Sequence, residues 1–389
     1  MAIAPRCPRL TTRSGAFSFW STRLRKLIDI GILFSHGGGY DLLSQASRWG
    51  ALKGVDAVNS DLKRVVEFRP VERNPEGRAE SYGTLCAEIL RGSGARHVLG
   101  CTTSSSRKEV IPTLERHDGM LWYAAPYEGF EANERVVYLH ACPNQHIVPL
   151  LHYVLPRYGA DAFLLGSNYV WGWELNRVAR DIVGDWNGRV LGERYLPLGD
   201  TDVSRIIAEI RAAPPSFVLN NLIGQSSYAF LKAYAALGRE DAAFLPDNCP
   251  VLSCDLMEPE LAALDGCGEG NLVIGPYFAN LGGDGPASSM EAAAHAAVVM
   301  LADLIEQAGT DEPASIAKLL GGRSFPTPLG SIRIDPQTQH AHMPVLIGRI
   351  EGNRFRPVWK SAGALAPDPY LSRYDSRLSP PRPSLRIVS

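Results

Sequence analysis

The chain has 389 residues, 45% hydrophobic and 21% charged, with 39 basic side chains against 41 acidic ones. At roughly 150 residues per domain this predicts about two to three folding units, and 37 glycines with 28 prolines stay below the level of a low-complexity chain. A formal net charge of −2 leaves no global basic field for a phosphate backbone, which excludes a general nucleic-acid binder.

Residues 1–26 are basic, and their one apolar run, 16–20, is far shorter than the roughly 7–15 residues of a signal-peptide core. They read as a disordered leader on a cytoplasmic chain. From Leu27 onward short apolar runs alternate with longer amphipathic stretches, the rhythm of βαβ units in a doubly wound sheet. Strands are expected at 28–34, 65–71, 97–100, 120–123 and 136–139, with helices over 41–60, 78–92 and 106–117. A helix over 146–158 leads into a second α/β lobe with strands at 162–166, 190–195, 216–219, 251–253 and 272–278. An Ala-rich helix over 288–308 and a short one over 312–320 follow. The apolar run 292–301 inside the first is too short for a bilayer roughly 20 residues deep. Residues 331–335, 343–350 and 354–359, separated by turn signals, read as a small β meander. Beyond Tyr370 the chain becomes rich in Ser, Arg and Pro and reads as a disordered tail over 371–389.

Enzyme signatures are missing: there is no Walker A loop, no HExxH and no GxSxG elbow. Seven cysteines contain no CxxC pair and read as small buried residues in a reducing compartment. His140, Cys142, His146 and His152 are close in sequence but fit no zinc spacing, and His340 with His342 reads as a strand and turn pair, so no metal and no cofactor are expected. The positive signal lies at strand ends, where doubly wound sheets place ligands. One strand runs into Ser35-His36-Gly37-Gly38-Gly39 and another into Cys101-Thr102-Thr103-Ser104-Ser105-Ser106, with Ser106 and Glu109 spaced as a capping box. Free N–H groups and hydroxyls there are expected to face a ligand carbonyl or carboxylate oxygen. A third strand ends in the aromatic loop from Tyr123 to Phe130. A fourth ends in Ser167-Asn168-Tyr169-Val170-Trp171-Gly172-Trp173-Glu174, suited to an apolar-walled pocket with polar tips. Trp173 is equally compatible with packing. The runs 220–226, 253–255 and 276–278 also sit at strand ends. None of these clusters assembles a nucleophile, base and orienter.

The order of these pieces resembles a family. Gly31-Ile32-Leu33-Phe34-Ser35, Arg48-Trp49-Gly50-Ala51-Leu52, Gly100-Cys101 with Arg107-Lys108, Tyr123 through Glu131, Pro143-Asn144-Gln145, Gly166-Ser167-Asn168-Tyr169, Pro276-Tyr277-Phe278 and Pro367-Asp368-Pro369-Tyr370 together resemble the type 1 periplasmic-binding-protein-like receptors. Within them the chain is similar to the amide sensors that negatively regulate aliphatic amidase operons. The resemblance implies an α/β fold of two doubly wound parallel-sheet lobes joined by a hinge. It divides the chain into a first lobe over 27–144 plus 280–322 and a second over 145–279 plus 323–370. It implies a small aliphatic amide held between the lobes by Ser104, Tyr123, Pro126 and Tyr169. Thr102 stands where the resemblance expects a tyrosine, Ala125 where it expects a threonine, and Trp171 where it expects a tyrosine. Two possible hydrogen bonds are thereby lost, and one corner is wider. The implied partner is an RNA-binding transcription antiterminator sequestered until ligand arrives, with self-association and without direct nucleic-acid or membrane contact. The alternative is the solute-binding component of an ABC transporter for urea, short-chain amides or branched amino acids. A third class, an amide-hydrolysing enzyme, would have only Cys101 as a nucleophile.

Overall fold

The computed structural model describes residues 25–279 and 285–373. The expected leader and tail fall outside these residues except at their inner ends. Lys26 opens the first strand, and the Ser372 and Arg373 amides donate to the Asp368 carboxylate at 2.9 and 2.7 Å.

The first lobe is built from β1 (Lys26–Leu33), α1 (Asp41–Ser60), β2 (Val66–Arg73), α2 (Ser81–Gly92), β3 (His97–Gly100), α3 (Ser104–His117), β4 (Met120–Tyr123) and β5 (Val136–Tyr138). Its five strands are all parallel in the order β2-β1-β3-β4-β5, so the winding reverses between β1 and β3. That reversal opens a crevice at the carboxyl ends of the strands. α3 starts two residues before the expected point. Its cap is Thr103, whose hydroxyl accepts from the Ser106 amide while the Ser106 hydroxyl accepts from the Thr103 amide. The box is therefore Thr103 with Ser106, and the Ser106 to Glu109 spacing is not used. Thr103 is extended (φ −102°, ψ 156°), the geometry an N-cap needs.

The chain then crosses to α4 (Ile147–Tyr158) and a second lobe of β6 (Ala162–Ser167), α5 (Val170–Asp185), β7 (Val190–Leu196), α6 (Ser204–Ala212), β8 (Phe217–Asn221), α7 (Gln225–Glu240), β9 (Val251–Ser253) and β10 (Leu272–Gly275). It returns to the first lobe through α8 (Ser289–Ala308), α9 (Pro313–Leu320), β11 (Ser324–Thr327), β12 (Gly330–Ile334) and β13 (Ala341–His342), and crosses again to β14 (Leu346–Ile350) and β15 (Phe355–Lys360). The seven-stranded sheet runs β15-β14-β10-β9-β8-β6-β7, with β14 and β15 antiparallel at its edge. The two doubly wound lobes have the α/β architecture expected from the alternation of elements.

The final strands do not form a meander. β12 pairs with β11 and β13 in a separate three-stranded sheet, while β14 and β15 extend the second lobe. Residues 323–343, expected in the second lobe, bury Phe325, Ile332, Ile334 and Ala341 in one core with Ile30, Ile32 and the alanines of α8. Turn signals mark where such strands end but not which sheet receives them.

Small residues let α1 and α8 approach closely: Ser47, Gly50, Ala51 and Gly54 are buried on α1. A Cβ on Gly50 would stand 2.2 Å from the Glu291 carbonyl oxygen, which is backbone and cannot swing aside. Gly50→Val is expected to destabilise the chain by about 2–3 kcal/mol, measured as a lower urea midpoint at constant m-value. An unchanged midpoint would contradict this helix contact.

Candidate functional site

The carboxyl ends of the parallel strands in the two lobes face one another across a cavity of about 20 Å³. One water requires roughly 10–15 Å³, so the space between the lobes is small. From the first lobe the wall takes Leu43 of α1, Thr102, Thr103 and Ser104 of the β3–α3 turn, Pro126 after β4, and Met290 of α8. From the second it takes Tyr169 and Trp171 at the start of α5, Ile223 after β8 and Asp255 after β9.

On the first-lobe side the backbone turns into the left-handed region at Cys101 (φ 68°), a conformation uncommon outside glycine. Thr102, Thr103 and Ser104 follow that turn onto the cavity wall. The Thr102 hydroxyl donates to Ser44 Oγ at 3.0 Å, and Ser44 Oγ also accepts from the Ser35 amide at 2.8 Å. The Ser104 hydroxyl donates to Glu128 Oε2. Behind it Glu128 Oε1 and Glu131 Oε1 each lie 2.8 Å from the guanidinium of Arg107, which is fully buried. Arg107 Cζ stands 5.0 Å over the Tyr123 ring and 4.7 Å over Tyr127, so ring faces and carboxylates together enclose the cation. Burial disfavours the charged guanidinium, yet Glu128, Tyr123 and Glu131 hold it well above its ordinary value. Burial likewise works to raise the Glu131 carboxyl, but Arg107, Lys108 and Tyr138 hold it down at about 2.

Tyr123 and Ala125 are buried behind this wall and do not line it. The Tyr123 hydroxyl donates to the Thr102 carbonyl at 3.4 Å, bracing the turn. Thr102, Ser104, Pro126, Tyr169 and Trp171 are brought together at the cavity.

On the second-lobe side, the run Ser167 through Glu174 passes from β6 into α5, which begins at Val170 with Tyr169 as its N-cap residue. Trp171 is buried, and its Nε1 has no hydrogen-bond partner. Trp173 is neither pocket wall nor core; it is 48% exposed, with Nε1 donating to Asn168 Oδ1 at 3.1 Å. Asp255 accepts from the Ser253 hydroxyl at 2.9 Å, and burial pushes its carboxyl up to about 7. Sequence reasoning placed Ile223 and Asp255 at strand ends without choosing them as contacts, and gave no signal for Leu43 or Met290, which arrive from helices distant in sequence.

Other expected clusters serve the frame. The 35–39 run does not line the cavity. Ser35 Oγ pairs with the Tyr82 hydroxyl at 2.9 Å, and the Gly39 carbonyl accepts from the Gln225 amide of the second lobe at 3.0 Å. Phe278 packs edge-on against Phe355. His140 bonds Ser289 Oγ at 3.0 Å, and His146 Nε2 lies 2.9 Å from the Tyr127 carbonyl. Among the described residues no group of three or more His, Cys, Asp or Glu side chains is placed to hold a metal, and no helix is long and apolar enough to cross a membrane. Cys101 is buried, and burial pushes its thiol well above the ordinary range, away from thiolate chemistry.

A family model described as a periplasmic binding protein domain matches residues 28–287 and 269–376. Among solved structures, the chain is similar to a solute-binding protein of an ABC transporter from Rhodopseudomonas palustris in complex with p-hydroxybenzoic acid, with a TM-score of 0.78 and 17% identity over 90% of this chain and 100% of the other. It is also similar to an amino-acid ABC transporter substrate-binding protein from Pseudomonas fluorescens, with a TM-score of 0.73 and 18% identity over 88% and 97% of the two chains. A branched-chain amino-acid transporter substrate-binding protein from Streptococcus pneumoniae, in complex with isoleucine, gives 0.74 and 13% over 86% and 99%.

Proposed function

We propose, from the premise that this chain belongs to the periplasmic binding protein family, that it is the solute-binding component of an uptake system and closes its lobes on a small neutral amide or urea. Its family is one of ligand binders rather than enzymes, and the buried Cys101 thiol offers no nucleophile. The observation that carries the reading is the cavity itself, walled from both lobes, so that one small molecule bridges them and favours the closed arrangement. The chemistry of the wall supports a neutral ligand. It contains no Lys or Arg to balance a carboxylate, and its one ionisable carboxyl is Asp255. The benzoate and isoleucine held by the similar structures each carry a carboxylate, so the fold is shared without requiring a shared ligand.

A second reading is the amide-sensing negative regulator, a cytoplasmic receptor that sequesters an RNA-binding antiterminator. It draws its support from the resemblance carried by Tyr123 through Glu131 and by Pro143-Asn144-Gln145. Both readings take an amide, and they differ in location: cell fractionation finding the chain in the envelope favours uptake, and finding it in the cytoplasm favours the regulator.

The ligand is tested by thermal shift and calorimetry against acetamide, propionamide, butyramide, urea, isoleucine and 4-hydroxybenzoate. Ligand at 100 times its dissociation constant adds roughly 2.7 kcal/mol of stability. Short amides or urea are expected to stabilise the chain and Tyr169→Ala to abolish the effect. Response to isoleucine or 4-hydroxybenzoate alone would overturn the amide assignment while leaving a solute receptor.

A further inference from the structure

The hydroxyls on the cavity wall have already committed their protons. Glu128 is paired with the buried Arg107 at 2.8 Å, and an ionised carboxylate is an acceptor only. Its second oxygen therefore takes the proton of Ser104, leaving Ser104 Oγ with lone pairs alone to offer the cavity. Thr102 is in the same condition, donating to Ser44. Asp255 adds a buried carboxyl to the wall, and among the residues that line the cavity Trp171 Nε1 is a buried side-chain donor without a partner. The sequence expectation is that free N–H groups and hydroxyls of the 101–106 turn face a ligand oxygen; for the Thr102 and Ser104 hydroxyls the structure reverses it.

We propose that Glu128, fixed by Arg107, is a positioning residue that sets the hydrogen-bond polarity of the cleft. By holding Ser104 as an obligate acceptor it makes the site read ligand N–H groups, and so select a carboxamide or urea over the isosteric carboxylate. The inference rests on the reading of the chain as a receptor for a small amide. A primary amide matches the wall: one of its N–H groups finds an acceptor in Ser104, and its oxygen finds a donor in Trp171 Nε1. A carboxylate of the same shape brings lone pairs against lone pairs, which leaves buried acceptors unsatisfied.

Glu128→Gln reverses the device with almost no change of shape. Arg107 has no acceptor and keeps the amide oxygen facing itself, so the side-chain NH₂ takes the place of Oε2 and donates to Ser104. Ser104 then donates into the cavity. Calorimetry with propionamide and propionate is the test. In the wild type propionamide is expected to bind more tightly, and in Glu128→Gln the propionamide-to-propionate affinity ratio is expected to fall by about tenfold or more. In a Ser104→Ala background the same Glu128→Gln change is expected to leave the ratio unmoved, because the residue through which it acts is gone. A merely structural Glu128 would weaken both ligands together.

A ratio that stays within about threefold in Glu128→Gln, or that falls equally in the Ser104→Ala background, would overturn the inference and leave the amide receptor intact. A wild type that prefers propionate overturns it as well. A wild type silent to every amide and to urea removes the amide reading and this inference with it. Should Glu128→Gln fail to fold, Ser104→Ala alone decides, since it leaves the ion pair in place: lost preference for propionamide supports the assignment and an unchanged preference overturns it.

Discussion

Replacing Arg107 with methionine is expected to cost about 3–5 kcal/mol, the penalty of leaving a buried carboxylate without its partner. The side chain is fully buried, lies 2.8 Å from carboxylate oxygens of both Glu128 and Glu131, and is roofed by Tyr123 and Tyr127. Glu131 keeps Lys108 at 2.7 Å and some access to solvent, with 14% of its side chain exposed. Glu128 is held less well: its side chain is 1% exposed and its contact with Lys108 is long, at 4.0 Å. The loss is therefore concentrated on Glu128. Methionine fills much of the space, so the cost measures charge more than cavity. Urea unfolding of Arg107→Met against the wild type gives the number. The double variant Arg107→Met with Glu128→Gln should recover a large part of it, because the carboxylate left unpaired has been removed. A single-variant loss below about 1 kcal/mol, or no recovery in the double variant, would mean that the cluster is less dry than its burial indicates.

The same cluster shows what can be read from a sequence and what cannot. Arg107-Lys108 and the Tyr123 to Glu131 run stand out as motifs, yet pairings between residues 21 and 24 apart are made by the fold and have no local period. Local signals did well where they suffice. The spacing of apolar residues places α1 over 41–60 and β3, β4 and β9 at the limits the structure has, because those segments are bounded by their own turn residues and buried on the faces the period requires. They failed where a run serves two purposes. Residues 167–174 carry the aromatic and polar mixture of a ligand loop, and the same residues open α5. The last strands alternate as strands should, but which sheet has a free edge for them is a tertiary fact. At the site, the strand-end rule pointed to the runs and the resemblance to residues within them, of which Thr102, Ser104, Pro126, Tyr169 and Trp171 line the cavity and Tyr123 and Ala125 do not. The direction of the Ser104 hydrogen bond was set from outside, by Glu128, and no property of the 101–106 turn reveals it.

Gly224→Ala is expected to lower ligand affinity by roughly a hundredfold or more while each lobe stays folded. Gly224 follows β8 in the second lobe as the N-cap residue of α7, with φ 59° and ψ −129°, a region that glycine alone adopts without strain. A Cβ there would stand 1.8 Å from the carbonyl oxygen of Gly39, a first-lobe residue, and that oxygen accepts from the Gln225 amide at 3.0 Å. The lobes thus touch backbone to backbone beside the cavity. Strain from that backbone conformation costs on the order of 1–3 kcal/mol and is present whether the lobes are open or closed, whereas the collision with Gly39 exists only when they are closed. Stability and affinity should therefore separate: a modest fall in the unfolding midpoint, a large fall in affinity, and an X-ray scattering radius of gyration that no longer contracts when ligand is added. Apparent affinity falls with the closed fraction, so blocking closure acts on binding without touching a single residue of the cavity wall. If Gly224→Ala binds and contracts as the wild type does, closure does not bring Gly39 and Gly224 together. The ligand would then be gripped in a more open arrangement, with the first-lobe wall of Thr102, Ser104 and Pro126 supplying most of its contacts.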